Sequence, residues 1–354
     1  MIPVSEGFRS AAKKSLRLNR LAGYNKTNVF RLGRPPQTFF PELMHSMIYT
    51  TVLSGAATML LYILAGFGLT KWKKTLTEHA KSMSGLLIYC CTPAMVIHSF
   101  QNLEYSLDYF KNFMLFFAVS LVIQILAFVL FFLLFRRKFE NSRYKILSIG
   151  AVLANSGFFG LPIITSIFPN EPIVACYSVI YITGMNILVF TIATYLITGE
   201  KQYMSLKSAV LNPTVIAAIV GIVLYLLRVT LPELLGNAVS VLAAMSTPLC
   251  MIVLGVRLAS MNLKEIFGRP FAYVCSLLKL VVYPLFAYLC VYWIPFLDDT
   301  FKLSILVLSA CPVAAVLLSV AEFHNCSQDL ASNVILLSTI LCVITLPLLC
   351  AVFA

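Results

Sequence analysis

Two apolar stretches of the chain each contain a group of residues that interrupts a helix. The first group surrounds an asparagine and consists of Asn155, Gly157, Gly160 and Pro162. The second is the pair Cys311 and Pro312. Proline removes a backbone donor and clashes with the preceding turn, and glycine contributes no side-chain packing. Both stretches are therefore predicted to be discontinuous helices.

Two such breaks that cross inside a membrane would direct the partial positive charge of their half-helix N-termini at the crossing point. That arrangement suits a bound carboxylate. The side chain of Asn155 stands beside the first break, so its amide either donates to the ligand or satisfies a freed carbonyl of the other broken helix. Plain proline kinks with glycine-mediated packing are the alternative interpretation.

The elements that position these residues are membrane helices. Of 354 residues, 60% are hydrophobic and 11% are charged, and the mean hydropathy of +0.91 lies outside the range of soluble proteins. Uncharged stretches of about twenty residues match the thickness of a bilayer core, where only helices can pair all of their amides in segments so uniformly apolar. We predict ten spans, at about 47–70, 82–100, 112–135, 146–168, 172–198, 208–228, 234–256, 270–294, 303–321 and 330–353.

The chain also contains an internal repeat. A shift of 155 positions aligns Thr92-Pro93 with Thr247-Pro248 and maps spans 1 to 5 onto spans 6 to 10. Because five is odd, the second copy enters the membrane in the opposite orientation. The predicted fold is an all-α integral membrane protein of ten transmembrane helices, formed by two inverted five-helix repeats with broken, crossing helices 4 and 9. The predicted domains are a basic, disordered N-terminal tail at 1–46, a first repeat at 47–198, a short cytoplasmic linker at 199–207 and a second repeat at 208–354.

Lys279 is the formally charged residue in the interior of a predicted span, since Arg228 stands at the last position of span 6, and the repeat pairs Lys279 with Gln124. We treat both as candidate binding residues. Four roles are open for Lys279. It could help to hold an anion, change protonation in a proton-coupled cycle, stand where other transporters bind sodium, or extend its ammonium group to the membrane surface. Asn186 and Asn333 are expected to make hydrogen bonds between helices.

The net charge of +12 is a topology signal rather than a sign of nucleic-acid binding. Basic residues concentrate in the connectors that follow odd-numbered spans, whereas the opposite connectors hold Lys111, Arg228 and Lys302. The positive-inside rule then places the odd-to-even connectors in the cytoplasm and both termini outside. The basic tail conflicts with this orientation. It is expected to be a real tail that stays cytoplasmic, a start assigned too far upstream, or a species-specific extension.

No cofactor, metal site or enzyme activity is predicted. The four histidines are scattered near span ends, and the cysteines lie within the spans apart from Cys326, as small buried hydrophobes do. The spans also lack the convergent acid, base or metal groups that a membrane-embedded enzyme needs.

The span 4 motif resembles that of the auxin efflux carrier family, which includes plant auxin exporters and bacterial malate or malonate permeases. The resemblance covers about residues 47–354, and it matches Asn155 to the fourth-helix asparagine and Pro162 and Pro312 to the crossover prolines. It implies a scaffold domain, a transport domain and an elevator-type shift of a bound organic anion. The long cytoplasmic loop of the large plant carriers is absent, which favours a compact prokaryotic-type permease.

The sequence thus predicts a multi-pass protein of the cell membrane that transports a small organic anion such as a carboxylate. Its expected partners are the lipid bilayer, the anion and, as a candidate coupling ion, the proton, with a homodimer as a candidate assembly. A sodium-coupled organic-anion symporter of the bile-acid-carrier type and a channel are the alternatives.

Overall fold

The computed structural model of the protein describes residues 39–73, 75–260, 268–324 and 326–353, with side chains described throughout these ranges except at 39–47, 75–77 and 201. Within the described ranges the regular structure is helical, apart from one isolated β-bridge between Ala154 and Val313.

The helices of the first half are α1 (Phe39–Trp72), α2 (Thr75–Leu86), α3 (Thr92–Gln101), α4 (Leu107–Phe135), α5 (Ser142–Gly150), α6 (Leu161–Ile167), α7 (Ile173–Leu188) and α8 (Thr194–Thr198). Those of the second half are α9 (Leu206–Val210), α10 (Pro213–Leu226), α11 (Glu233–Ser260), α12 (Pro270–Leu277), α13 (Tyr283–Tyr292), α14 (Asp299–Ala310), α15 (Val316–Phe323) and α16 (Gln328–Phe353). One π-helical turn joins each of three pairs of helices into a continuous helix: α2 with α3, α7 with α8, and α12 with α13.

Seven helical segments of the described chain are long and apolar enough to cross a membrane, so this is a multi-pass membrane protein. Their bounds are Ile48–Trp72, Glu78–Gln101, Leu107–Lys138, Ile173–Thr198, Glu233–Ser260, Pro270–Tyr292 and Gln328–Phe353. Two shorter apolar helices are Ser156–Ile167 and Pro213–Leu226. Helices lie over all ten predicted spans, but the predicted spans 4 and 9 are each divided in two.

The first helix begins at Phe39, inside the segment that the sequence assigned to the tail. The remainder of the predicted tail, 1–38, lies outside the described residues. The predicted linker at 199–207 turns at Gly199, whose φ of 77° is a left-handed conformation that glycine adopts without strain. α9 already begins at Leu206.

Several helices begin where their sequence supplies a cap. The side chain of Asn212 accepts from the amide of Thr214, and Pro213 occupies the first turn of α10, where no amide partner is needed. In the same way Asp298 accepts from Phe301 at the start of α14. These caps fix where the helices begin at the edges of the apolar segments.

α4 has two apolar faces, one buried and one exposed. Phe113, Phe116 and Phe128 are buried against neighbouring helices. Exposed apolar side chains recur at helical spacing along the opposite face, and they include Val122, Leu126, Val129 and Leu133. Water would disfavour such a stripe, whereas the hydrocarbon core of a bilayer accommodates it.

α1 and α11 make the closest helix contact of the described structure that depends on glycine. A Cβ atom on Gly255 would lie 2.0 Å from the carbonyl oxygen of Ile63, and one on Gly66 would lie 2.2 Å from that of Ile252. Small residues allow membrane helices to approach backbone to backbone in this way. α3 packs against both α10 and α11. The four helices α1, α3, α10 and α11 therefore form one connected group, which we call the α1–α11 group after the two helices in closest contact.

We predict that Gly255→Ala lowers the melting temperature of the purified protein, because α1 and α11 must separate to admit the methyl group, at a cost of about 1–3 kcal/mol. The matched control is Gly68→Ala, since a Cβ on Gly68 in α1 meets no atom within 4 Å. Equal melting temperatures for the two variants would contradict the close packing.

Candidate functional site

The two predicted breaks meet through their backbones. α5 ends at Gly150 and α14 ends at Ala310. The residues that follow the two helices meet in one antiparallel β-bridge, between Ala154 and Val313. The amide of Asn155 donates to the carbonyl of Pro312 at 2.8 Å, and the amide of Ala314 donates to the carbonyl of Leu153 at 3.1 Å. Each broken helix therefore supplies hydrogen-bond partners that the other has lost.

The glycines and the cysteine of the two motifs bring the broken segments together. A Cβ on Gly160 would lie 2.9 Å from both the Cys311 sulfur and the Leu308 side chain, and one on Gly157 would lie 2.8 Å from the side chain of Ile182. Gly157, Gly160 and Cys311 thus act in packing around the break. None of these three residues lines any of the four cavities identified within the described residues.

Lys279 is completely buried and lies against both breaks. Its ammonium group donates to the carbonyl of Ser309 at 2.6 Å and to that of Val152 at 3.4 Å. It also lies 4.5 Å from the centre of the Tyr283 ring, whose hydroxyl pairs with that of Tyr181 at 2.6 Å. The predicted alternative in which Lys279 reaches the membrane surface is therefore wrong, because its charge is used to bind carbonyls that the breaks leave free.

Gln124 is also fully buried, but it does not join Lys279. Neither polar atom of its side chain has a hydrogen-bond partner in the described part of the chain, and the same holds for Asn333. A Cβ on Gly184 of α7 would lie 3.8 Å from the Gln124 amide nitrogen, so Gln124 points between α4 and α7. Asn333 therefore does not form the expected hydrogen bond with any described helix.

Three cavities follow one another along α11. The α6 cavity, of about 710 Å³, is lined by α1, α3, α6 and residues 240–248 of α11, and it includes Pro162 and His98. The α15 cavity, of about 460 Å³, is lined by α2, α15, α16 and the end of α11. At 1.5 Å per residue, the part of α11 that lines these two cavities, from Ser240 to Ser260, extends over about 30 Å, the thickness of a bilayer core.

The third space, which we call the break cavity, lies between the other two and has a volume of about 160 Å³. Asn155 and Asn186 line it, both more than nine-tenths buried, and their side-chain amides make no hydrogen bond within the described ranges. Arg257 lines the break cavity and the α15 cavity alike. Phe158, Ile182 and other apolar side chains form the remaining wall.

The structure thus separates the predicted site residues. Asn155 lies at the break cavity and Pro162 at the α6 cavity, while Lys279 and Gln124 line neither. Pro312 supports the crossing through its carbonyl. Sequence reasoning missed Arg257, which it counted as a connector charge because the predicted span ended at 256. The arginine lies one turn inside α11, which ends at Ser260.

Comparisons with known proteins agree with this architecture. A family model described as a membrane transport protein matches residues 51–204 and 198–350. The chain is also similar to a protein of Methanothermobacter thermautotrophicus named as an uncharacterized transporter, with 26% identity over 307 residues, which cover 85% of this chain and 98% of that protein.

We predict that Lys279→Met lowers the melting temperature of the purified protein, because the carbonyls of Ser309 and Val152 lose their buried donor, at about 1–3 kcal/mol for each unpaired group. Lys279→Gln keeps a donor and should lose less. Lys111→Met is the control, because that ammonium group is largely exposed. If Lys279→Met melts at the wild-type temperature, this role for the lysine is excluded.

Proposed function

The chain belongs to the membrane transport protein family, the auxin efflux carrier family that its span 4 motif resembles, and from this premise we propose that it is a secondary transporter of a small organic anion. The proposed mechanism is alternating access of the elevator type, with the anion bound beside the crossing of the two broken helices. A carboxylate is the proposed cargo.

The observation that carries the proposal is the crossing itself, with the free amide of Asn155 beside it. Helix breaks inside a membrane are tolerated where they line a cavity or are buried in protein. Here the backbone groups at the break are paired across the crossing, while the Asn155 side chain faces the break cavity without a protein partner in the described structure. A buried amide with free donors is suited to hydrogen-bond a carboxylate.

Two observations support the inverted-repeat architecture. The hydroxyl of Ser246 donates to the carbonyl of Cys91, and these partners are separated by 155 positions, the offset that aligns the Thr-Pro pairs. A contact between equivalent positions is expected on the pseudo-two-fold axis of a repeat. The same offset aligns Gly66 of α1 with Gly221 of α10, and both glycines lie in close helix contacts.

The arrangement of the cavities supports alternating access. The α6 and α15 cavities lie toward opposite ends of α11, and the break cavity lies between them. All three are bounded on one side by the α1–α11 group and on the other by helices that carry or contact the breaks. A shift of the break-bearing helices along the α1–α11 group would move Asn155 from one end cavity toward the other.

Lys279 favours proton coupling or uniport over the sodium-coupled alternative. A sodium ion needs several oxygen ligands, and at this crossing the carbonyls of Ser309 and Val152 are already bound by an ammonium group. No group of three or more histidine, cysteine or acidic side chains in the described ranges is arranged to hold a metal ion. The protein is accordingly proposed to be a carrier rather than an enzyme.

We predict that Asn155→Ala slows carboxylate transport about tenfold or more, because one hydrogen bond to a charged group contributes about 1.5–3 kcal/mol. Uptake of labelled carboxylates into proteoliposomes measures the rate, and the amount of inserted protein is compared in parallel. Ser304→Ala is the control, because this buried hydroxyl bonds only within α14.

Three outcomes of the uptake experiment separate the alternatives. Wild-type kinetics in Asn155→Ala would remove this asparagine from the site. Flux that neither saturates nor shows counterflow would indicate a channel. A dependence of uptake on a sodium gradient would indicate the symporter instead.

A further inference from the structure

Arg257 occupies a position that no assigned role explains. It lies one turn before the end of α11 and is partly buried, and its side chain lines two cavities, the open α15 cavity and the smaller break cavity. Its guanidinium group makes no hydrogen bond or ion pair with any residue that the structure describes. An arginine held between two cavities without a carboxylate partner is available to an anionic ligand.

The charges around Arg257 differ between the two cavities. The α15 cavity also contains Lys81 and Glu322, and among the described residues no ion pair joins the Glu322 carboxylate to the arginine. Among the described residues that line the break cavity, Arg257 is the single charged one, and the buried amides of Asn155 and Asn186, which have no described hydrogen-bond partner, accompany it. Lys279 does not line the break cavity, because its ammonium group is bound to the crossing.

Building on the proposed function, we propose that Arg257 is the charged ligand of the transported anion. Its guanidinium group receives a carboxylate from the α15 cavity and holds it in the break cavity, where the amides of Asn155 and Asn186 complete the hydrogen bonds. Arginine suits this role because its planar fork of donors matches a carboxylate in two parallel hydrogen bonds.

The lining also specifies the class of anion. One positive charge among otherwise neutral lining residues compensates one negative charge, and a second carboxylate buried there would have no charged partner, which is costly. Phe158, Ile182 and Met185 offer apolar contacts beyond the polar groups. The volume of about 160 Å³ is well below that of a pocket for a drug-sized ligand. The cargo is therefore a small monocarboxylate with an apolar tail.

The test measures binding to the purified full-length chain with three probes, namely 3-methylbutyrate, its neutral amide 3-methylbutyramide, and the dicarboxylate malonate. Wild-type protein should bind 3-methylbutyrate more tightly than malonate, and the amide weakest of all. Arg257→Gln should weaken 3-methylbutyrate binding at least about tenfold, because a charge-assisted pair is lost. Arg257→Lys should recover part of the affinity.

Arg137→Gln is the matched control, since this arginine is exposed in a connector and lines none of the three cavities. If Arg257→Gln does not fold, phenylglyoxal labelling of the wild type replaces it. 3-Methylbutyrate should then protect Arg257 from modification and leave Arg137 unprotected, and equal labelling with and without the probe would exclude the proposed contact.

The outcomes distinguish this inference from the proposed function. Unchanged carboxylate affinity in Arg257→Gln would overturn the role of the arginine while leaving anion transport intact. Tighter binding of malonate than of 3-methylbutyrate would overturn the selection for a single charge. Failure of the wild type to bind either carboxylate would overturn the proposed function itself.

Discussion

The structure depends on pairing the backbone groups that two interrupted helices leave free where no water is available. In hydrocarbon each unpaired amide or carbonyl is costly, so a break persists only if protein groups replace the lost helical bonds. The crossing supplies two of them, from Asn155 to Pro312 and from Ala314 to Leu153. Side chains supply others: the Ser338 hydroxyl accepts from the Val313 amide, and Ser178 donates to the carbonyl of Ser156.

Lys279 completes this pairing and explains why a charge is buried at the crossing. Its ammonium group binds one carbonyl from each broken segment, so a single side chain holds the two segments together at their point of contact. Because these carbonyls lie in break-bearing segments, Lys279 belongs to the same body as the crossing. In an elevator shift it would move with the site and keep the breaks closed throughout.

Much of the fold follows from the sequence, since apolar length and helix-breaking residues act locally. Pro312 and the glycines around Asn155 predict where the helices stop, and the structure has breaks at both places. The roles of Lys279, Gln124 and Arg257 depend instead on which helices lie opposite them. Charge and spacing leave Lys279 with several interpretations, and only its contacts with Ser309 and Val152 select among them.

Arg257 was missed for a related reason. Hydropathy assigns a charged residue near the end of an apolar span to the connector. Helix α11 nevertheless continues to Ser260, so Arg257 is still part of the helix. Its contact with a cavity arises from the packing of α11 against the break-bearing segments, which no local pattern encodes. Sequence signals therefore predict the helices and the breaks more fully than the walls of the space between them.

The proposed repeat gives Arg257 a neutral counterpart, and this difference bears on how the two end cavities would bind an anion. Asn102 stands 155 positions before Arg257 and lines the α6 cavity, together with His98, to which its side chain is hydrogen-bonded. Under the proposed inverted repeat, the carrier presents a guanidinium group at one end of its path and an amide at the other. Since Arg257 lies on α11, in the α1–α11 group, the anion would separate from it as the break-bearing helices shift. Under the proposed mechanism the α15 end would then bind the anion tightly, and the α6 end would release it readily.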